Sequence, residues 1–433
     1  MKDIKQNSSI FEKTYPTYIQ LEEAHELILS EIKLKKRYTD IIEIKTKEAV
    51  GYVAAQDIYA KENIPLFDKS PYDGYAFRSE DTKDASKENP VILKIIEEIP
   101  AGSFGTKMVG HMEAVKILTG APIPTGADTV IQYEKTIFTE KQVQIFEPCK
   151  SGNNIVRKGE DLKVGELIIK KGEEIEPADC ALLVGQGIAS IPVYEKVKAS
   201  ILCTGSELKD VDDILEPGKI RDTNTTMFAS YVKQSGMSAI PEAVLPDDVN
   251  VIADGIVNAL NHSDCLITTG GASVGDYDVM RDAVELAGGK VLFWKIQIKP
   301  GSAVSAGIVN EKPVIILSGN PSAAAVIFWM LAVPVLRCIG GYNAIYPRRY
   351  QVHMLNAYTK ASKNRRMLAG RLIFKNGMIY FEAVDKQKNS SISGMKNGTV
   401  LLEIPAGNQG LEEDALCFCY DLEHYTSKWG MPL

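Results

Sequence analysis

The stretch Asp264-Cys-Leu-Ile-Thr-Thr-Gly-Gly-Ala-Ser-Val-Gly-Asp-Tyr-Asp278 constrains this chain more than any other. It begins as an apolar run, breaks at Gly270 and Gly271, crosses a small polar loop containing Ser273, and reaches Asp276 and Asp278. Val279 to Leu286 then sets apolar residues at helical spacing, and Gly288 and Gly289 stop the pattern. Strand, glycine turn, acidic loop and helix in that order place ligand-binding groups at the C-terminal edge of a parallel sheet. Taken alone, the same pattern also describes an ordinary strand–turn–helix link.

The neighbouring stretches bear on that choice. From about residue 197, apolar runs alternate with helical patterns. Ala199 to Gly205 is an apolar strand ending at glycine, followed by Ser206 and Glu207. Asp222, Thr223 and Asn224 supply cap residues for a helix through Met227 and Tyr231 that stops at Gly236. Pro246, Asp247 and Asp248 precede a helix over Val251 to Leu260. Val291 to Pro300 and Pro313 to Gly319 read as further strands; Asn320 then caps a helix whose first turn holds Pro321. Short apolar runs separated by helices indicate a parallel sheet buried on both faces. Gly205 with Glu207, Gly270 with Asp278, and Gly319 with Asn320 put polar groups at three strand ends, where such sheets bind ligands. In the strand before Pro300 a period of two sets Lys295, Gln297 and Lys299 on one face and Ile296 and Ile298 on the other. Two such lysines suit an anion; a lysine-guarded edge strand is the alternative.

The remainder is more β-rich. Residues 18 to 36 carry a helical stripe of Leu21, Ala24, Leu27, Ile28 and Ile32, and a second short helical pattern covers Lys47 to Gln56. Ile64 to Arg78 is a rigid loop entering a strand, with Asp73 directly before Gly74. Turn chemistry alone makes Asp73 an aspartate that bonds its own backbone. Residues 90 to 147 read as short strands with glycine turns, including Thr119 and Gly120. Gly152 to Leu162 is a glycine-flanked loop carrying Asp161, for which a solvated charged turn is the plain account. Beyond 345, strands with turns at Lys375-Asn-Gly, Lys396-Asn-Gly and Pro405-Ala-Gly suggest a small β-barrel or sandwich.

Size and charge bound the function. A chain of 433 residues suggests two to four domains. Net charge of −7 argues against a nucleic-acid surface. The N-terminus has no apolar signal core, and the run Ala323 to Leu336, which includes Pro334, falls short of the ~20 residues of a membrane span. No membrane partner and a cytoplasmic location are therefore expected. The seven cysteines include no Cys-x-x-Cys, and the five histidines do not cluster, so no zinc or histidine metal site is supported. Cys417 and Cys419 share one face of a strand and read as buried thiols.

The acids Asp73, Asp161, Glu207, Asp248 and Asp278 come from separate loops and converge only if domains or two subunits meet. Beside two lysines they are poorly suited to glycosidase work. They suit a divalent cation held against phosphate, with the lysines and the helix opening at Asn320 and Pro321 taking the anion. The residues thus support an anionic, phosphorylated ligand bound with a divalent metal, and no particular reaction.

Several motifs, in order, resemble one family. Thr268 to Asp278, Ser70-Pro-Tyr-Asp-Gly-Tyr-Ala76, Thr119-Gly-Ala-Pro-Ile-Pro, Gly159-Glu-Asp161, Cys203-Thr-Gly-Ser-Glu207, Gly218 to Asn224, Ile298-Lys-Pro-Gly301 and Gly319-Asn-Pro321 are similar to the molybdopterin molybdenumtransferases, the bacterial MoeA enzymes and the gephyrin E domain. The resemblance runs from about residue 15 to the C-terminus. It implies a multidomain α/β plus β chain with a doubly wound α/β molybdopterin-binding domain, β-rich N-terminal domains and a small C-terminal β-barrel. The corresponding boundaries are 1–51 with 141–196, an inserted 52–140, then 197–344 and 345–433. It also implies a homodimer that takes adenylated molybdopterin and molybdate and, with Mg²⁺, releases AMP; the molybdopterin adenylyltransferase is a candidate partner. By motif, Glu207, Asp248 and Asp278 would line the nucleotide and metal site, with Asp73 and Asp161 approaching from the partner subunit. Lys295 and Lys299 would hold the pterin phosphate or the oxyanion. Thr119, Gly270, Gly271, Ser273, Gly319, Asn320 and Ser322 complete the expected substrate contacts.

The chain departs from the family pattern at three places. Ser302 and Ala303 stand where Lys-Pro is common, Ala323 where serine is usual, and Val156 where arginine is usual, with Arg157 beside it. The first two fall in loops expected at the oxyanion. They motivate competing readings: a tungstate-preferring insertase, or a scaffold that keeps the fold without catalysis. Molybdopterin adenylylation is the third, since that enzyme shares the α/β domain.

Overall fold

The computed structural model describes residues 15–34, 38–270, 279–385, 387–388, 390–396 and 398–426. The chain forms two compact units: Met1–Gln56, Lys171–Glu176 and Ser190–Leu433 make the larger, and Asp57–Lys170 and Pro177–Ala189 the smaller.

The larger unit is built on a seven-stranded sheet. Its spatial order is Thr17–Ile19, Lys290–Ile296, Ser305–Val309, Lys312–Leu317, Cys265–Thr269, Lys198–Cys203 and Ser238–Pro241. All run parallel except Ser305–Val309. That strand escapes the sequence reading because Ser305, Ala306 and Gly307 do not make an apolar run. It turns into Lys312–Leu317 through Asn310 and Glu311, both with left-handed backbone (φ 47° and 64°), the two-residue turn that suits a hairpin.

Strand alternation puts successive residues on opposite faces. Leu202, Leu266, Val314 and Ile316 pack with Ile252, Ile256, Met280 and Val284 of the helices Val249–His262 and Val279–Leu286. Ile201, Ile267, Ile315 and Leu317 face the other way, onto Ile28, Phe228 and Phe328. Both faces are therefore covered, as near-continuous apolar strands require.

Phe328 belongs to a helix longer than the run that announced it. Pro321–Ile327, a π-helical turn Phe328–Ala332 and Val333–Ile339 join into 19 residues. By length and composition it could cross a membrane, yet it is buried throughout in the protein. Pro334 lacks the N–H that a continuing α-helix would aim at the Met330 carbonyl. His25, from the helix Leu21–Leu34, donates from Nε2 to that carbonyl at 2.7 Å.

At the C-terminus of the same unit, Arg365–Lys375 pairs with Met378–Ala383, which pairs with Tyr346–Met354. Tyr346–Met354 pairs with Leu416–Thr426, that strand with Val400–Ile404, and Val400–Ile404 again with Arg365–Lys375, so the pairing closes on itself. Asn376 and Gly377, at φ 52° and 77°, form the tight turn expected of Lys375-Asn-Gly. Cys417 and Cys419 are buried as expected, and burial pushes their thiols up to about 11 and about 12.

The smaller unit carries a six-stranded sheet in the order Thr129–Gln132, Gly74–Phe77, Glu113–Ile117, Val91–Ile99, Gln142–Ile145, Thr136–Phe138, in keeping with the β reading of 90 to 147. Two local expectations change. Lys47 to Gln56 is not a helix: a 3-10 turn, Thr46–Glu48, ends before Gly51 turns left-handed at φ 77°, and Val53–Ala54 then pairs with Ser190–Tyr194. The helix Pro177–Gly185 was not anticipated.

Candidate functional site

The parallel strands of the larger unit end side by side, and their tips are tied together. Thr204 donates its backbone N–H to Thr269 at 2.9 Å. Gly270 follows with φ 96°, and a Cβ there would lie 2.0 Å from the Thr204 carbonyl oxygen. Only glycine lets the two tips approach so closely. Gly319, at the third tip, would put a Cβ 3.5 Å from the Gly270 Cα.

Asn224 bridges these ends. Its Nδ2 donates to Thr269 Oγ1 at 3.2 Å and to the Gly319 carbonyl at 3.0 Å. A carbonyl can only accept, so the amide orientation is fixed by chemistry. Its Oδ1 is buried with no partner among the described residues. Thr225 Oγ1 donates to Cys203 Sγ at 3.0 Å, and that sulfur lies 3.0 Å from Thr269 Oγ1. Burial pushes the Cys203 thiol up to about 12, so it stays protonated. Of the three cap residues the sequence offers, Asp222, Thr223 and Asn224, it is Asp222 whose side chain serves the helix start, accepting from the Thr225 N–H at 3.1 Å; Asn224 turns to the strand tips instead. Bonds spanning 45 and 95 residues leave no periodic trace in a sequence, although the Gly218 to Asn224 motif marked the segment.

The acids of this unit sit on the adjoining loops. Gly205 donates to the Leu245 carbonyl at 3.1 Å, and Thr204 and Leu245 form a parallel bridge. This brings the loop holding Glu207 beside the loop holding Asp247 and Asp248. The Glu207 carboxylate is exposed and folds over Gly205, whose Cβ position lies 2.8 Å from Glu207 Oε2. Asp248 caps the helix Val249–His262, its Oδ1 accepting from the N–H groups of Asn250 and Val251 at 3.0 Å each. Its Oδ2 has no partner among the described residues. Gly271, Ser273, Asp276 and Asp278 lie outside the described residues. Among the described residues no group of three His, Cys, Asp or Glu side chains could hold a metal.

The two lysines are placed less simply than a period of two suggests. Burial does alternate, with Ile296 and Ile298 inside and Gln297 and Lys299 exposed. The strand, however, ends at Ile296, and Ile298–Lys299 pairs with Arg365 and Arg366 instead. Lys295 has φ 65°, which breaks the pleat at the change of sheet. Gly301, at φ 100°, lies against the helix after Asn320, where a Cβ would fall 2.4 Å from Ile327 Cγ1. Asn320 does not cap that helix with its side chain; its carbonyl accepts from Ala324 at 2.9 Å, Pro321 takes the first turn as expected, and the amide group stays exposed. Ser322 is buried with Oγ on Met395 Sδ at 3.4 Å, and Ala323 is buried beside it. Ser302 is half-buried, its carbonyl accepting from Ile296 and Val304.

The smaller unit holds Asp73, Thr119 and Asp161. Asp73 Oδ1 accepts from the Thr119 N–H at 2.7 Å and its hydroxyl at 2.9 Å, and these bonds hold the carboxyl below the usual carboxylate range. Asp73 therefore bonds a partner 46 residues away rather than its own turn. Gly74 lies flush against the next strand, where a Cβ would meet the Ile131 oxygen at 1.9 Å. Lys69 bridges to both Pro122 and Val156, and Asp161 donates its N–H to Ile64 at 3.0 Å, so the three motif loops of this unit are interlaced. Val156 contributes only backbone bonds to Lys69, and Arg157 pairs with Asp68 at 2.7 Å.

Residues 19–187 match the family model of the MoeA N-terminal region, domains I and II, and residues 200–338 match that of a probable molybdopterin binding domain. The molybdopterin molybdenumtransferase of Staphylococcus aureus strain COL is 33% identical over 371 residues, 86% of this chain and 88% of that protein. The enzyme of the same name from Staphylococcus epidermidis strain ATCC 12228 is 33% identical over 383 residues, 88% of this chain and 91% of its own. Among solved structures, the molybdopterin biosynthesis MoeA protein of Pyrococcus horikoshii OT3 superposes with a TM-score of 0.79 at 30% identity, over 93% of this chain and all of that one. Likeness along nearly the whole length, in both units, places the chain: it belongs to the molybdopterin molybdenumtransferase family.

Proposed function

We propose that the protein is a transferase of molybdenum cofactor biosynthesis that takes adenylated molybdopterin and molybdate and releases AMP. The observation that carries this reading is the set of strand tips joined by Asn224 and Cys203, flanked by Glu207 and Asp248 and lying in the segment similar to a molybdopterin-binding domain. Backbone groups at such tips can approach a ligand closely because Gly270 and Gly319 carry no side chain. Lys295 and Lys299 supply positive charge for phosphate or oxyanion.

Mg²⁺ takes oxygen ligands and commonly keeps several waters beside one or two carboxylates. The exposed Glu207 carboxylate and the remaining Oδ2 of Asp248 fit that donor set. When bound, the ion would neutralise charge on the phosphates. Asp248 meanwhile fixes the start of its helix, and Asp73, kept ionised by Thr119, offers a second anionic group.

The same reading includes a homodimer in which Asp73 and Asp161 serve the partner's site, delivery of substrate by the adenylyltransferase, and a cytoplasmic location. It also takes the closed C-terminal circuit as a small barrel and the four-part division 1–51 with 141–196, 52–140, 197–344 and 345–433 as the domain plan.

Incubation with adenylated molybdopterin, Mg²⁺ and molybdate or tungstate tests the reading. AMP release that depends on the oxyanion, with metallated pterin as product, is expected. Pyrophosphate made from ATP and molybdopterin would point to adenylylation, and no product at all to a scaffold.

Asp248 allows its structural and ionic roles to be separated. Asparagine caps a helix about as well as aspartate, whereas alanine costs about 1 kcal/mol. Asp248→Asn is expected to keep the unfolding midpoint and need more Mg²⁺ for half-maximal AMP release. Asp248→Ala is expected to lose on both counts. An unchanged Mg²⁺ requirement in both variants would leave Asp248 a cap and nothing more.

A further inference from the structure

Lys295 is held in an unusual way. The edge strand Thr17–Ile19 runs parallel to Lys290–Ile296, with Thr17 opposite Trp294 and Ile19 opposite Ile296, so Tyr18 lies abreast of Lys295. Both residues have left-handed backbone, φ 56° at Tyr18 and 65° at Lys295, and neither is glycine or asparagine. Such conformations are strained for these residue types and persist where surrounding bonds impose them.

The bonds that impose it are present. Trp294 donates to the Pro16 carbonyl at 3.0 Å, Gln297 donates its N–H to Ile19 at 2.8 Å, and Lys295 donates its N–H to Val304 at 2.8 Å. Gln297 Nε2 donates to the Tyr18 carbonyl at 2.5 Å, and Gln20 Nε2 donates to Gln297 Oε1 at 2.9 Å. The result is a Lys295 ammonium lying over the Tyr18 ring, 5.6 Å from its centroid. The tyrosine itself is 54% exposed, so it is not there to fill the core.

A free lysine side chain loses much rotamer entropy when it must hold an anion. An aromatic face beneath the ammonium pre-orders it without neutralising its charge, which a carboxylate would do. We propose that Tyr18 is a positioning residue that fixes the Lys295 ammonium as part of an oxyanion cradle. The oxyanion is either the phosphate of the pterin or the free metal oxyanion. This rests on the anion role given to Lys295 under the proposed function.

The test uses the full-length protein, titrated separately with molybdopterin and with molybdate. Four variants are compared: Tyr18→Phe, Tyr18→Asn, Lys295→Met and the double variant Tyr18→Asn with Lys295→Met. Phenylalanine keeps the ring, and Tyr18→Phe is expected to bind like the original protein. Asparagine removes the ring yet tolerates left-handed backbone, so Tyr18→Asn is expected to keep its melting temperature and bind about fivefold more weakly. The double variant is expected to bind no worse than Lys295→Met, because the tyrosine acts only through the lysine. A loss confined to molybdopterin assigns the ammonium to the pterin phosphate, and a loss confined to molybdate assigns it to the free oxyanion. If Lys295→Met loses binding while Tyr18→Asn keeps it for both ligands, or if the double loss is additive, the positioning role is overturned alone. If Lys295→Met itself binds normally, the anion role of Lys295 fails and takes the positioning role with it.

Discussion

Gly270→Ala is expected to destabilise the larger unit by about 3–5 kcal/mol, combining left-handed strain with backbone overlap. The alanine Cβ would sit 2.0 Å from the Thr204 oxygen and 3.0 Å from its carbonyl carbon, both main-chain atoms that cannot swing aside. Relief requires parting the tips of Lys198–Cys203 and Cys265–Thr269, which would also stretch the bonds that Asn224 and Cys203 make to Thr269. Gly288→Ala is the control: its φ of 76° is equally left-handed, but among the described residues nothing lies within 4 Å of its Cβ position. There the cost should be about 1 kcal/mol. Urea unfolding of the two variants measures the difference. Equal midpoints would mean that the close approach at Thr204 does not demand glycine.

Acid should weaken the fold through His25. Burial pushes this imidazole down to about 4, with the Met330 carbonyl and Glu22 opposing the shift and Arg365 adding to it. Between pH 6.5 and 4 the unfolded chain takes up a proton that the folded chain refuses. Stability therefore rises with pH across that window: the contribution is fully present above about pH 6.5 and is lost as pH falls towards 4. The loss is on the order of 3 kcal/mol by pH 4. Denaturant titrations at pH 7, 5.5 and 4 should show it, and His25→Leu should start less stable at pH 7 but fall less steeply. Parallel decline of the two proteins would assign the acid sensitivity to other groups.

What could be read from the residues alone follows from how local each signal was. Apolar runs ending at Gly205, Gly270 and Gly319 announced three parallel strands and their order along the chain, because burial on both faces leaves an unbroken apolar trace. The antiparallel Ser305–Val309 carries small residues and left no such trace. Helical spacing misled at Lys47 to Gln56, where Gly51 and a strand partner 140 residues away decide the backbone. In the site, Asp248 and the two lysines were visible as residue types, but not their attachments. The tie from Asn224 to two strand tips, and that from Asp73 to Thr119, depend on pairs distant in sequence. Ser322 was expected to face ligand and instead turns to Met395, a contact that only the packing of the Pro321–Ile327 helix could reveal.

The buried helix from Pro321 to Ile339 has a consequence for synthesis. As the chain leaves the ribosome, this segment is as apolar as a membrane span and prone to self-association. The helix that meets it through His25, Leu21–Leu34, has by then been made some 300 residues earlier. The N-terminal helix is thus already made when its apolar partner emerges, and the Pro334 gap that His25 fills gives it a polar mark on a rod that otherwise carries one charged side chain, Arg337.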